Sequence, residues 1–291
     1  MHMRTASFTT RDLTLAYVVS LVVAVVMTAA SVAALVDWNR IYPGADSALL
    51  PLFVGQDALN LIVGLPILLG SMWLARRGSL IGLLLWPGAL FYVLYDYGYY
   101  VLGAPHTVLF IPYIALMTLS AYAMIGIVVS IDGTAVREQI AAGIPARLVG
   151  GFLAGLALLF TALWSGLSLS ASLSGAAFDM IPRVVTTLDL IVQLPALFVG
   201  GVLLMRRHQL GYVVAAGLLL QASAYLVGLS AITVLQEALL QVPLDLVAVL
   251  PGIVVGVIGV VMIGGFIRAA GTRSITTVPT TTRADLAQLR S

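Results

Sequence analysis

A chain of 291 residues that is 61% hydrophobic and only 9% charged cannot cover a water-facing surface, since soluble domains are about a quarter charged. Its net charge of +2 is scattered as arginines at segment ends, which leaves no nucleic-acid footprint. Without cysteine there is no disulfide frame or thiolate metal site, and without lysine no Schiff base to retinal.

A hydrocarbon core about 30 Å thick needs roughly 20 apolar residues per helix, and eight stretches qualify. The first, Leu13 to Val36, follows Arg4 and Arg11 and passes a signal-peptidase-like Ser31-Val32-Ala33. A run of about 24 residues is too long for a signal peptide, so a retained anchor is expected. Leu50 to Ala75, Leu80 to Leu102 and Val108 to Ile131 complete a first group of four. Leu148 to Leu169, Val184 to Met205, Leu210 to Leu235 and Leu246 to Ile267 form a second. Breakers mark the connectors at Tyr42-Pro43-Gly44, Gly103-Ala104-Pro105, Ile181-Pro182 and Val242-Pro243. Runs this long exclude strands, and the alternation of a membrane barrel is absent. The Thr-rich tail reads as disordered or as one short helix over Ala284 to Arg290.

Twelve of the arginines fall on one set of segment ends, and only Arg40 and Arg183 on the other. The positive-inside rule then places both termini in the cytoplasm of a plasma (inner) membrane protein, which requires an even number of spans.

Leu59-Asn60-Leu61-Ile62-Val63-Gly64-Leu65-Pro66-Ile67-Leu68 matches Leu188-Asp189-Leu190-Ile191-Val192-Gln193-Leu194-Pro195-Ala196-Leu197 at seven of ten positions, at an offset of 129. Arg76-Arg77 pairs with Arg206-Arg207, and Gly82 and Gly88 with Gly211 and Gly217. Four spans separate the matches, so the halves are expected as parallel repeats about an axis along the membrane normal. The fold expected is an all-α, eight-helix bundle. Residues 1–131 form the first repeat, 132–147 a cytoplasmic linker, 148–268 the second repeat and 269–291 a tail. Gly151 with Gly155, and Gly252 with Gly256, offer small-residue faces for close helix packing. Pro66, Pro87, Pro195 and Pro251 are expected to kink their helices.

Charge inside a bilayer is costly, so the intramembrane acids are informative. Asp57, Asp96 and Asp189 all fall in the outer third of their spans. Gln56, Asp57 and Asn60 share one helix face, as do Asp189 and Gln193. Asp96 shares a face with Tyr92, Tyr99 and Tyr100, whose hydroxyls can donate to a carboxylate. One reading is a polar cavity opening outward, lined by Asp57, Asn60, Tyr92, Asp96, Tyr100, Asp189 and Gln193, for a small polar or cationic solute. The other is a structural cluster neutralised by Arg40 or Arg183, with several tyrosines forming an interfacial aromatic belt.

His2, His106 and His208 lie outside the spans, so neither haem nor a His-based zinc site is supported. No Ser-His-Asp set, phosphate loop or dinucleotide fingerprint appears, and no cofactor is expected. Gly55-Gln56-Asp57 followed by Leu74-Ala75-Arg76-Arg77-Gly78-Ser79-Leu80 resembles uncharacterised bacterial multi-pass membrane proteins. The resemblance covers about a third of the chain and implies no activity. Three classes follow: a transporter or channel for a small polar or cationic solute, a non-catalytic subunit or assembly factor bound to partner membrane subunits, and a lipid enzyme using the outer carboxylates.

Overall fold

The computed structural model describes residues 8–44, 50–175, 180–240 and 246–271. Among these residues eight helices are long and apolar enough to cross a membrane: α1 (Thr14–Val36), α2 (Leu50–Arg76), α3 (Leu80–Gly103), α4 (Phe110–Ser130), α5 (Ala146–Ser174), α6 (Arg183–Met205), α7 (Gln209–Val234) and α8 (Val249–Gly271). The chain is an all-α, multi-pass integral membrane protein. All eight expected spans are present; the helix that holds α7 continues to Leu240, 32 residues in all, and α5 is also long. At 29 residues it runs about 44 Å, well past the thickness of a hydrocarbon core. The tail beyond Gly271 and its expected short helix lie outside the described residues, as does the loop that holds Asp245.

The eight arginines at Arg11, Arg76, Arg77, Arg137, Arg147, Arg206, Arg207 and Arg268 gather at one end of the bundle, because alternate helices run in opposite senses. At that end the N-terminal segment pairs with the chain after α4: the amide of Thr10 donates to the carbonyl of Ser130 at 2.8 Å, and that of Asp132 to Phe8 at 2.8 Å. The linker is not irregular throughout. Gly133–Ile140 forms a short helix capped by Asp132, whose side chain accepts from the amides of Thr134 and Ala135. An Asp before the first helical residue satisfies donors that otherwise have no partner.

At the centre, α3 lies against α2, α4 and α7, and nearly all of its side chains are buried. Apolarity alone does not select this helix for the interior, since lipid accepts apolar residues equally well. Its glycines, tyrosines and Asp96 do, because small residues allow close approach and polar groups need protein partners. The tightest crossing is with α7 at Gly88 and Gly217. A Cβ on Gly88 would lie 2.5 Å from the carbonyl carbon of Gly217, and one on Gly217 would lie 2.9 Å from the amide nitrogen of Gly88. Outside this pair, α1 packs on α2 and α4, α8 on α7, and α5 chiefly on α6.

The small-residue faces differ in part from expectation. Gly252 and Gly256 do admit a neighbour, but the neighbour is α7: Cβ atoms there would meet Ser230 Oγ at 2.5 Å and Val227 Cγ2 at 2.6 Å. Gly155 faces open space. The α5–α6 contact instead uses Gly150 and Ala154, against which a Cβ on Gly201 would collide.

Pro66 and Pro195 each follow a π-helical turn, at Asn60–Gly64 and Asp189–Gln193. In the first turn the amide of Leu65 donates to the carbonyl of Asn60, and in the second that of Leu194 donates to Asp189. The wider i to i+5 turn absorbs the disruption that each missing proline amide would bring. It also carries Asn60 and Asp189 at matching places.

Candidate functional site

The first π turn brings α2 against the middle of α3. Here Asn60 links the two helices: its Nδ2 donates to Asp96 Oδ2 at 2.7 Å, and its Oδ1 accepts from the hydroxyl of Tyr92 at 3.3 Å. Gln56 Nε2 donates to the same Tyr92 oxygen at 3.3 Å. One turn away, Asp57 Oδ2 accepts a short hydrogen bond from the Tyr42 hydroxyl, which reaches in from the chain after α1. Gly64 makes room for this arrangement, since a Cβ there would stand 2.8 Å from the Tyr92 ring. Asp57, Asn60 and Asp96 are fully buried.

Each of the two acids keeps one oxygen free: Asp57 Oδ1 and Asp96 Oδ1 are buried and accept no hydrogen bond among the described residues. Among the described residues their partners are phenols and an amide, with no cation. Arg40 and Arg183 are exposed and bond to neither acid, so the expected arginine neutralisation is not found. Two buried carboxylates with neutral donors and a vacant oxygen apiece are suited to hold a proton or a small cation. Among the described residues no three His, Asp or Glu side chains gather as metal ligands.

Toward the end away from the arginines, one turn beyond these acids, lies a layer of aromatic rings. Phe53 packs against Tyr42, Tyr99 and Tyr100, and Tyr100 against Tyr97 and Tyr113, with centroids 4.9 to 5.9 Å apart. The Tyr100 hydroxyl lies beside Asp57 and also donates to the carbonyl of Phe53 at 3.2 Å. Tyr92, Tyr95, Tyr97, Tyr99 and Tyr100 are all buried, so the interfacial belt expected of them is not formed. A central helix presents every face to protein, which is why five tyrosines in nine residues find no lipid.

The second π turn builds a separate cluster. Asp189 accepts from the Tyr95 hydroxyl and from Trp164 Nε1, both at 2.6 Å. Gln193 does not join it: its Oε1 accepts from Gln221 Nε2 at 2.8 Å. Tyr225 packs edge-on against Tyr95 at 4.7 Å. Of the seven expected residues, then, Asp57, Asn60, Tyr92, Asp96 and Tyr100 come together, and Asp189 and Gln193 take other partners. The loops at 45–49, 176–179 and 241–245, where an outward mouth is expected, lie outside the described residues.

Sequence reasoning missed Tyr42, Tyr95, Trp164, Gln221 and Tyr225. For the last two a signal was present, since they stand 129 positions after Tyr92 and Asp96. No protein-family model, curated protein or solved structure matches the chain.

Proposed function

We propose that the protein moves a small polar or cationic solute, or a proton, across a plasma membrane, and that Asp57 and Asp96 are its binding site. The observation that carries this reading is the pair of fully buried carboxylates, each with an unpartnered oxygen and no cation beside it. Uncompensated charge of this kind is costly in a bilayer and marks ion or proton pathways. On this reading the aromatic layer of Tyr42, Phe53 and Tyr100 is a closed outer gate, and Tyr42 latches it to Asp57. Asp189, with both oxygens satisfied, fastens α3 to α5 and α6 and does not bind solute.

The same proposal takes the chain as two parallel repeats, with both termini and the arginine-rich end in the cytoplasm. Support comes from the π turns at an offset of 129 and the self-matching Gly88–Gly217 crossing, where a two-fold axis would pass. The twelve-to-two arginine bias supports the orientation.

The test is flux in proteoliposomes driven by gradients of protons, sodium, potassium or ammonium. Wild type should carry current with at least one of these ions, and cation currents should fall at low pH as protons compete for the carboxylates. Asp57→Asn and Asp96→Asn should abolish the current, while Asp189→Asn lowers stability and leaves the current of the folded fraction. Unchanged current in Asp96→Asn would end this assignment.

A further inference from the structure

At the arginine-rich end, Arg137, Arg206, Arg207, His208 and Gln209 line a cavity of about 500 Å³. Arg137 comes from the short linker helix, and the others from the turn between α6 and α7. The two are tied together by Thr134 Oγ1, which donates to Gln209 Oε1 at 2.7 Å. None of the three guanidinium groups is ion-paired among the described residues. The neighbouring acid Asp132 is committed to capping its helix, and Glu138 is exposed with no ion pair. α7 begins at Gln209 on the wall of this cavity, and the amides of Leu210 and Gly211 are bonded to His208 Nδ1 and to the His208 carbonyl. A helix start reinforces the preference for an anion.

Within one helical turn of this cavity a dry groove begins. It has a volume of about 310 Å³, a size typical of binding clefts, and runs between α4 and α6 with the Gly88–Gly217 crossing as its floor. Leu203 stands one turn before Arg206 and Arg207 and Leu210 just after them, and both line the groove. A cationic head site joined to an apolar channel that faces the bilayer matches an anionic phospholipid in both charge and polarity.

The turn after α2 shows that these arginines are not generic anchors. There Arg77 rests on the Trp73 ring at 3.7 Å, and the left-handed position of the turn is Gly78, at φ 77°. After α6 the left-handed position is Arg207, at φ 55°. Four residues before Arg207 stands Leu203, which leaves the guanidinium no ring to stack on. A strained backbone residue where glycine serves elsewhere points to a side chain kept for its contacts. We infer that Arg137, Arg206 and Arg207, with the groove above them, bind one anionic glycerophospholipid of the adjacent leaflet.

The test uses the full-length protein, equilibrated with phosphatidylcholine vesicles doped with a minor fraction of phosphatidylglycerol, extracted and weighed by native mass spectrometry. Wild type should retain phosphatidylglycerol selectively. Arg206→Gln with Arg207→Gln should weaken retention about 25-fold, at about fivefold per arginine. Arg76→Gln with Arg77→Gln should not. Val199→Trp fills the groove from an exposed wall position and should weaken retention with all charges intact. Equal retention of the two lipids, an equal loss on changing Arg76 and Arg77, or no effect of Val199→Trp would each overturn the assignment. So would displacement of the lipid by inorganic phosphate alone, which would make this a free-anion site.

Discussion

Gly88→Ala tests the packing that the whole arrangement rests on. Two terms of opposite sign compete. Alanine favours a helix over glycine by roughly 0.5–1 kcal/mol. Against this, the new Cβ would stand 2.5 Å from the carbonyl carbon of Gly217, when ordinary contact begins at 3.4 Å. The obstacle is backbone on α7, with no rotamer to move, so α3 and α7 must separate by about 1 Å along their shared face. Overpacking costs about 1–3 kcal/mol, and with rigid atoms on both sides the upper half of that range applies. The net change expected is a loss of about 1–2.5 kcal/mol. Gly217→Ala, with its nearest atom at 2.9 Å, should lose less. Gly126→Ala on α4 is the control: nothing lies within 4 Å of its Cβ, so only the propensity term remains and stability should hold or rise. Reversible unfolding in mixed micelles measures all three. If Gly88→Ala is as stable as Gly126→Ala, the α3–α7 crossing is not the close contact described, and the site built on α3 loses its frame.

Three further outcomes can be checked, the first in intact cells and the others with purified protein. The chain has no cysteine, so single replacements report topology directly: His106→Cys should react with an impermeant maleimide from outside the cell, and Thr134→Cys only after permeabilisation, with the reverse pattern overturning the orientation. Trp164→Phe keeps the ring but leaves Asp189 Oδ2 without its 2.6 Å donor; the expected cost is about 1–3 kcal/mol in the same unfolding titration, vanishing in an Asp189→Leu background. Arg207→Gly should relieve the left-handed strain and stabilise the protein in zwitterionic detergent by about 1 kcal/mol, while weakening retention of phosphatidylglycerol. An unchanged melting temperature there would mean that the turn holds no strain.

What the sequence disclosed followed from the solvent. Lipid accepts no unpaired polar group, so Asp57, Asn60 and Asp96 had to face protein, and their helical spacing identified the faces that meet. Eight spans followed from length and the single charged end from arginine placement. What stayed hidden depends on choices that spacing leaves open. In Gly150-Gly151-Phe152-Leu153-Ala154-Gly155 two small-residue faces lie a single residue apart, and only the position of Gly201 on α6 selects Gly150 and Ala154. Trp164 sits between Thr161 and Ser165 with no acid on its own helix, and its bond to Asp189 spans two helices with no local signal. The tyrosines of α3 read as a belt because their spacing covers every face; that full coverage was the mark of a central helix.

On the proposed duplication, the two halves place their carboxylates differently. Asn60 corresponds to Asp189, Tyr92 to Gln221 and Asp96 to Tyr225. The acid of the first half therefore stands on α3 and faces an amide on the π turn, whereas that of the second half stands on the π turn itself. Tyr225 does not take the place of Asp96 as a partner across α6 and α7. Its ring packs on Tyr95, and Tyr95, from the other half, supplies the hydroxyl to Asp189. The exchange has a chemical consequence. With a phenol and an indole as donors, Asp189 has no oxygen to spare and holds three helices together. With one amide as donor, Asp96 keeps an oxygen vacant beside Asp57, which also keeps one. On the proposed function, one scaffold then supports a fastener in one half and a binding site in the other. Replacing Asp189 should then be read mainly in unfolding free energy and replacing Asp96 mainly in flux, so the two variants measured side by side separate architecture from function.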